Sequence, residues 1–126
     1  MAIYPSPAQA PLVLVKTKET YKVWHEMLAH VKRIDRYTIG IRTDDVFLIL
    51  LEHLFRASFS SSKLEKLSFI SSSIAQCDLL KFLLQITWEH AILDNKHYGV
   101  LMLSLDEIGR MLGGWKRQIE NKTPAI

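Results

Sequence analysis

Apolar residues along most of the chain recur at steps of three and four, and no stretch alternates apolar and polar positions over a useful length. Residues at those steps share one side of an α-helix, so the pattern predicts helices and no strands. Tyr21, Trp24, Leu28 and Val31 form the stripe of a first helix, about Val13 to Ile34. A second is expected over about Arg36 to Phe59, with Asp35 as its N-cap and Gly40 weakening its start. Ser58 to Ser62 interrupt the periodicity, and Ser62-Lys63-Leu64-Glu65 fits a capping box that opens a third helix.

The third helix places Leu67, Ile70, Ile74, Cys77, Leu80, Leu84 and Trp88 on its apolar stripe, and Asp94 and Asn95 close it. In the fourth, Tyr98, Leu101, Leu105, Ile108, Leu112, Trp115 and Ile119 form a seam suited to packing into other helices at a shallow angle. Four long helices joined by short turns predict an all-α fold, an up-down-up-down antiparallel four-helix bundle over residues 12–121. A mobile Pro-rich tail is expected at residues 1–11, where three prolines occur, and a short C-terminal tail at 122–126.

Composition narrows the class further. A chain of 126 residues that is 48% hydrophobic is one domain and buries roughly two thirds of its unfolded surface without a metal or disulfide staple. The lone Cys77 excludes a disulfide framework and a multi-cysteine zinc site, which points to a reducing, cytoplasmic setting. The longest apolar runs, such as Val46 to Leu51, fall short of a membrane span, and the N-terminus lacks the pattern of a signal peptide.

The usual catalytic constellations do not assemble. His25 and His30 are five residues apart, which turns their side chains about 140° from each other on a helix and prevents a shared metal. No glutamate precedes a histidine by three positions, so the di-iron signature of carboxylate bundles is missing. Asp94 and His97 have that spacing, but across an expected turn. Cys77 lies on an apolar stripe and reads as a core residue, and Ser71, Ser72 and Ser73 read as packing or exposed helix positions. No catalytic residue, metal or cofactor is expected.

The formal net charge is only +3, from 16 Lys and Arg against 13 Asp and Glu, but it is unevenly distributed. Lys16, Lys18, Lys22, Lys32, Arg33, Arg36 and Arg42 face Glu19, Glu26 and Asp35 in the first third. Arg110, Lys116, Arg117 and Lys122 face only Glu120 at the end, and the middle is acidic. In an antiparallel bundle this predicts two basic zones, one at Lys32 to Arg42 and one uniting Lys16 and Lys18 with Lys116 and Arg117. Such zones serve helix dipoles and solubility, or they bind polyanions. Gly109 and Gly113, with Gly114 beside them, each cost the fourth helix about 1 kcal/mol relative to alanine. Together with Trp115 they predict a helix-packing or oligomer face bordered by Arg110 and Arg117.

Ile108-Gly109-Arg110-Met111-Leu112-Gly113-Gly114-Trp115 resembles the signature near the C-terminus of the Avd-like four-helix bundle proteins. These are accessory proteins of diversity-generating retroelements, related to bundle proteins encoded in ribosomal RNA intervening sequences. Arg36 to Arg42, Lys63 to Leu67, and Asp78 to Leu84 followed by Tyr98 agree in order and spacing, so the similarity runs from about Leu12 to Glu120. The resemblance implies a non-enzymatic homo-oligomer, a pentamer, that binds RNA or DNA without sequence specificity. It also implies association with a reverse transcriptase, whose mutagenic cDNA synthesis it supports. Arg110 falls on the signature arginine and Lys81 stands where an arginine is common. Gln85 departs from a frequent second arginine, and the proline that commonly ends helix 1 is missing around Lys32 to Asp35.

The expected nucleic-acid or partner contacts are Arg33, Arg36, Arg42, Lys81, Arg110, Lys116 and Arg117. Five chains of formal charge +3 would carry about +15, enough to steer polyanions where one chain could not. The alternative expectation is a protein-interaction bundle that uses the glycine face and does not bind nucleic acid.

Overall fold

The computed structural model describes residues 11–121, so the expected tails lie outside the described residues apart from Pro11. Among the described residues the chain is all α-helical, and its four long helices form a bundle. Helix α1 is Leu12–Leu28, α2 is Ile41–Phe59, α3 is Lys63–Glu89 and α4 is Asn95–Asn121. Each helix packs on two others, α1 with α2 and α4, and α3 with α2 and α4.

Residue pairs across these interfaces run in opposite directions. Towards α2, Tyr21 of α1 meets Phe47 while Leu28 lies beside Gly40. Between α2 and α3, Ala57 meets Lys66 while His53 meets Phe69. Cys77 bonds Leu105 and Lys63 bonds Glu120 between α3 and α4.

The core lies where the four apolar stripes meet. Phe47, Leu50, Leu54, Ile70, Leu80, Leu84, Leu105, Ile108 and Leu112 are fully buried, and Trp24, Leu93, Leu101 and Cys77 nearly so. Each such side chain contributes roughly 1.5–3 kcal/mol of burial free energy before entropy costs. Thr17 and Thr20, which interrupt the apolar pattern of α1, are also buried, because their hydroxyls donate to the Val13 and Lys16 carbonyls at 2.7 and 2.8 Å.

The α2–α3 turn forms one half of the expected capping box, the Ser62 cap, while the Glu65 side chain turns to Ser60 instead of the Ser62 N–H. Ser62 Oγ accepts the Glu65 N–H at 3.3 Å, while the Glu65 carboxylate reaches the Ser60 hydroxyl at 3.0 Å.

The α1–α2 connection corrects the expected boundaries. Helix α1 ends at Leu28 rather than Ile34, and Val31 enters the core from the turn that follows instead of from a continuing helical stripe. The turn lets α2 reverse direction beside α1. Asp35 is not an N-cap. Lys32, extended at φ −58° and ψ 146°, holds that position, and Asp35 sits inside the short helical segment Arg33–Asp35, where its charge faces the positive end of the helix. The chain then passes through one π-helical stretch, Arg36–Gly40, before α2. Gly40 is buried there, and a Cβ would lie 3.0 Å from the Asp35 carbonyl oxygen, so glycine permits this close backbone approach.

One further correction concerns Trp88. Trp88 does not join the core stripe of α3; it is 39% exposed, and Leu83 and Thr87 take the inward positions of the last turns. Tyr98, Trp115 and Ile119 are only half-buried on the α4 seam. Helix α3 is also long and apolar enough, by length and composition alone, to cross a membrane. In the bundle it packs against both α2 and α4.

Candidate functional site

A surface groove of about 560 Å³ runs between α3 and α4. Lys81 and Asp78 approach it from α3, and Asp106, Gly109, Arg110, Gly113 and Arg117 from α4, with Ile74 and Cys77 completing its lining. Three of the expected cationic contacts, Lys81, Arg110 and Arg117, therefore converge although they are far apart in sequence. Arg110 and Arg117 are seven residues apart, two helical turns, which keeps them on one face.

Lys81 Nζ lies 3.1 Å from Asp106 Oδ1, so one of the three cations is ion-paired. Asp78 and Asp106 leave the groove with one net positive charge from its lining. The sequence reading did not single out either acid. Their spacings to Lys81 and Arg110, three and four residues, were the available signal that they share those helix faces.

Gly109 and Gly113 line this groove, and no neighbouring helix closes on Gly109, Gly113 or Gly114 within the chain. A Cβ on Gly109 would lie 3.7 Å from Lys81 Nζ, one on Gly113 would lie 3.8 Å from Arg117 Nη1, and one on Gly114 would meet nothing within 4 Å. The expected close helix contact is thus absent in the single chain, and the ends of Lys81 and Arg117 lie at ordinary contact distance from two of the three glycines. Trp115 stands apart from the groove, half-buried against the core, with Lys66 Nζ 5.9 Å from its ring centre.

The remaining expected contacts lie elsewhere. Arg33, Arg36 and Arg42 are exposed around the π-helical stretch. Arg33 lies over the Tyr37 ring at 5.7 Å, and Arg42 is 3.7 Å from Asp45. Arg36 borders a shallow apolar hollow with Leu28, Ile41 and Leu48. Lys116 is half-buried and does not line the α3–α4 groove.

In the second expected basic zone one cation, Lys16, is ion-paired. Lys16 is held by Glu107 at 2.6 Å, and its hydrogen bond and charge keep the Glu107 carboxyl below its ordinary range. Arg117 joins Lys81 and Arg110.

Burial pushes the Cys77 thiol up to about 11, partly offset by the nearby Lys81 charge, and its Sγ lies 3.6 Å from the Leu105 carbonyl oxygen. A thiol held in that way is not poised as a nucleophile. Among the described residues no three His, Cys, Asp or Glu side chains are placed to hold a metal ion.

A second cleft, about 420 Å³, sits at the end of the bundle beside the α3–α4 turn, lined by residues that include His30, Trp88, Ala91, Asn95 and His97. Asp94 caps α4 by accepting the His97 N–H at 2.7 Å, and its carboxylate also holds His97 Nδ1 at 2.8 and 2.9 Å. The backbone hydrogen bond, then the ring contact, lowers the Asp94 pKa.

Comparison with protein-family models, with curated proteins and with solved structures finds no match to the chain.

Proposed function

We propose that the chain is a non-enzymatic, Avd-like accessory protein of a diversity-generating retroelement. In this reading it acts in the cytoplasm as a homo-oligomer, a pentamer, and binds reverse transcriptase and its template RNA or cDNA through basic surfaces. The observation that carries the reading is the α3–α4 groove, where the signature Arg110 stands with Arg117 and Lys81 beside Gly109 and Gly113. Guanidinium and ammonium groups along such a groove suit a phosphate backbone, whose recognition needs charge and reach but no base-specific geometry.

Neutralising Arg110, Lys116 and Arg117 together is expected to weaken RNA and reverse-transcriptase binding while leaving the bundle folded. Wild-type affinity for RNA should fall steeply between about 50 and 200 mM salt, as counterion release requires. A triple variant that binds like wild type throughout the titration would remove the groove from the binding surface.

One observation favours a protein-interaction module as the second reading. Ile41, Leu48, Phe55 and Phe59 are exposed along α2 at spacings of seven, seven and four, and the Phe55 and Phe59 rings lie 4.7 Å apart. An apolar stripe of this kind suits another helix. RNA binding that is absent at both salt concentrations would favour this module over the groove reading.

A further inference from the structure

The cleft beside the α3–α4 turn contains an aromatic surface that the groove reading does not use. Trp88 and Tyr98 stack nearly parallel, with ring centres 4.7 Å apart and planes 10° apart. Trp88 Nε1 donates to Asn95 Oδ1 at 2.7 Å, which satisfies the indole's polar edge and fixes the ring in place. Trp88 lines the cleft while Tyr98 does not, so Tyr98 backs the indole and Trp88 is the ring presented to the opening. A large aromatic residue left 39% exposed, held rigid by a stacked partner and a hydrogen bond, is organised for contact with a flat ligand.

The rest of the cleft supplies groups for a ring edge. Asn95 accepts the indole N–H through its oxygen, which leaves its amide N–H groups to donate. The Asp94 carboxylate engages His97 at Nδ1, so Nε2 is the ring nitrogen that this contact leaves unused. Amide donors and an imidazole nitrogen beside an aromatic face match the hydrogen-bonding edge of a nucleobase. The volume of about 420 Å³ is that of a small-ligand cleft.

Backbone strain marks the same place. Ala91 lines the cleft at φ 57°, a left-handed conformation that favours glycine. The Ala91 N–H bonds the Trp88 carbonyl at 3.0 Å and the Ile92 N–H bonds the Thr87 carbonyl at 2.9 Å, the pattern of a helix end that glycine usually completes. The chain carries this cost at the residue that borders the aromatic surface.

We propose that Trp88, backed by Tyr98, is a stacking platform for an unpaired base of a single-stranded nucleic acid, with Asn95 and His97 at the base edge. The proposal rests on the nucleic-acid reading above and adds to it a preference for single strands that charge alone does not provide.

The test compares a short oligothymidylate with an abasic deoxyribose-phosphate strand of the same length, using the full chain. Wild type is expected to bind the thymidylate about fivefold or more tightly than the abasic strand, the range of one stacked base. Trp88→Ala should abolish that difference without changing abasic affinity, and Trp88→Phe, which keeps a ring in place, should retain most of it. Equal binding of both strands by wild type, or a difference that survives Trp88→Ala, would overturn the platform while leaving the groove reading intact.

If wild type binds neither strand, the groove reading fails, and neutral thymidine then decides the platform alone. Quenching of tryptophan fluorescence by thymidine in Trp115→Phe, lost when Trp88→Phe is added, would support it; no quenching would overturn it.

Discussion

Lys81 Nζ and Asp106 Oδ1 face each other at 3.1 Å across the α3–α4 groove, so one of the groove's three cations is balanced within the chain. The pair is partly solvent-exposed, and removing it should change stability by no more than about 1 kcal/mol. Its effect on a polyanion should be larger. Asp106→Asn removes a repelling charge and frees Lys81, so RNA affinity is expected to rise several-fold. Lys81→Gln should lower it and reduce the salt slope by about one. A filter-binding salt titration of both variants checks the two directions, and parallel losses in the two would contradict the geometry.

The glycines differ in what they tolerate. Gly109, Gly113 and Gly114 have room for a methyl group, and alanine at each should stabilise α4 by up to about 1 kcal/mol through helix propensity. Gly40→Ala should instead destabilise by about 1–3 kcal/mol, because its Cβ would press on the Asp35 carbonyl oxygen at 3.0 Å. Urea denaturation of the four variants would show the opposite signs.

Asp44 Oδ1 accepts from both the Tyr21 hydroxyl at 2.9 Å and the Trp24 indole at 3.1 Å, joining α1 to α2. Burial, with added contributions from Asp44, pushes the Tyr21 pKa from 10.0 up to about 12. The stability gained from keeping this phenol neutral is complete below pH 10 and is lost as pH rises towards 12. Absorbance titration of the folded chain should contain a late tyrosinate component that Tyr21→Phe lacks.

Cys77 is 1% exposed and its thiol is pushed up to about 11 by burial. Iodoacetamide at about pH 8 should leave the native chain unlabelled and modify it rapidly once guanidinium unfolds it. Mass spectrometry would detect the difference, and fast labelling of the native chain would mean that the α3–α4 seam opens readily.

Ala91 supplies a stability test of the strained turn. Ala91→Gly relieves a positive φ and should stabilise by roughly 1 kcal/mol, because left-handed backbone is costly for a residue with a Cβ. Thermal denaturation measures it, and an unchanged midpoint would show that the turn relaxes by other means.

The helices were legible because their signals are local. The Leu101, Leu105, Ile108 and Leu112 seam, the Ser62 cap and the Cys77 core position depend on spacings within one helix, and the structure places them as read. Trp88 and Val31 were misplaced for one reason: periodicity assumes that a helix continues, and both residues lie where a helix ends. The glycine face was legible as an anomaly but not as part of a groove lining, since its spacing says nothing about what stands opposite.

By itself the sequence determined that this chain is an all-α bundle, because the 3.6-residue period and the capping side chains act within a few residues of each other. Only the tertiary structure decided that Lys81, Arg110 and Arg117 share one groove, that Lys16 is held by Glu107, and that Trp88 lies against Tyr98 at the mouth of a cleft. Those pairings depend on how the helices are rotated and offset against one another, and that is set by the packing of the whole core rather than by any one segment.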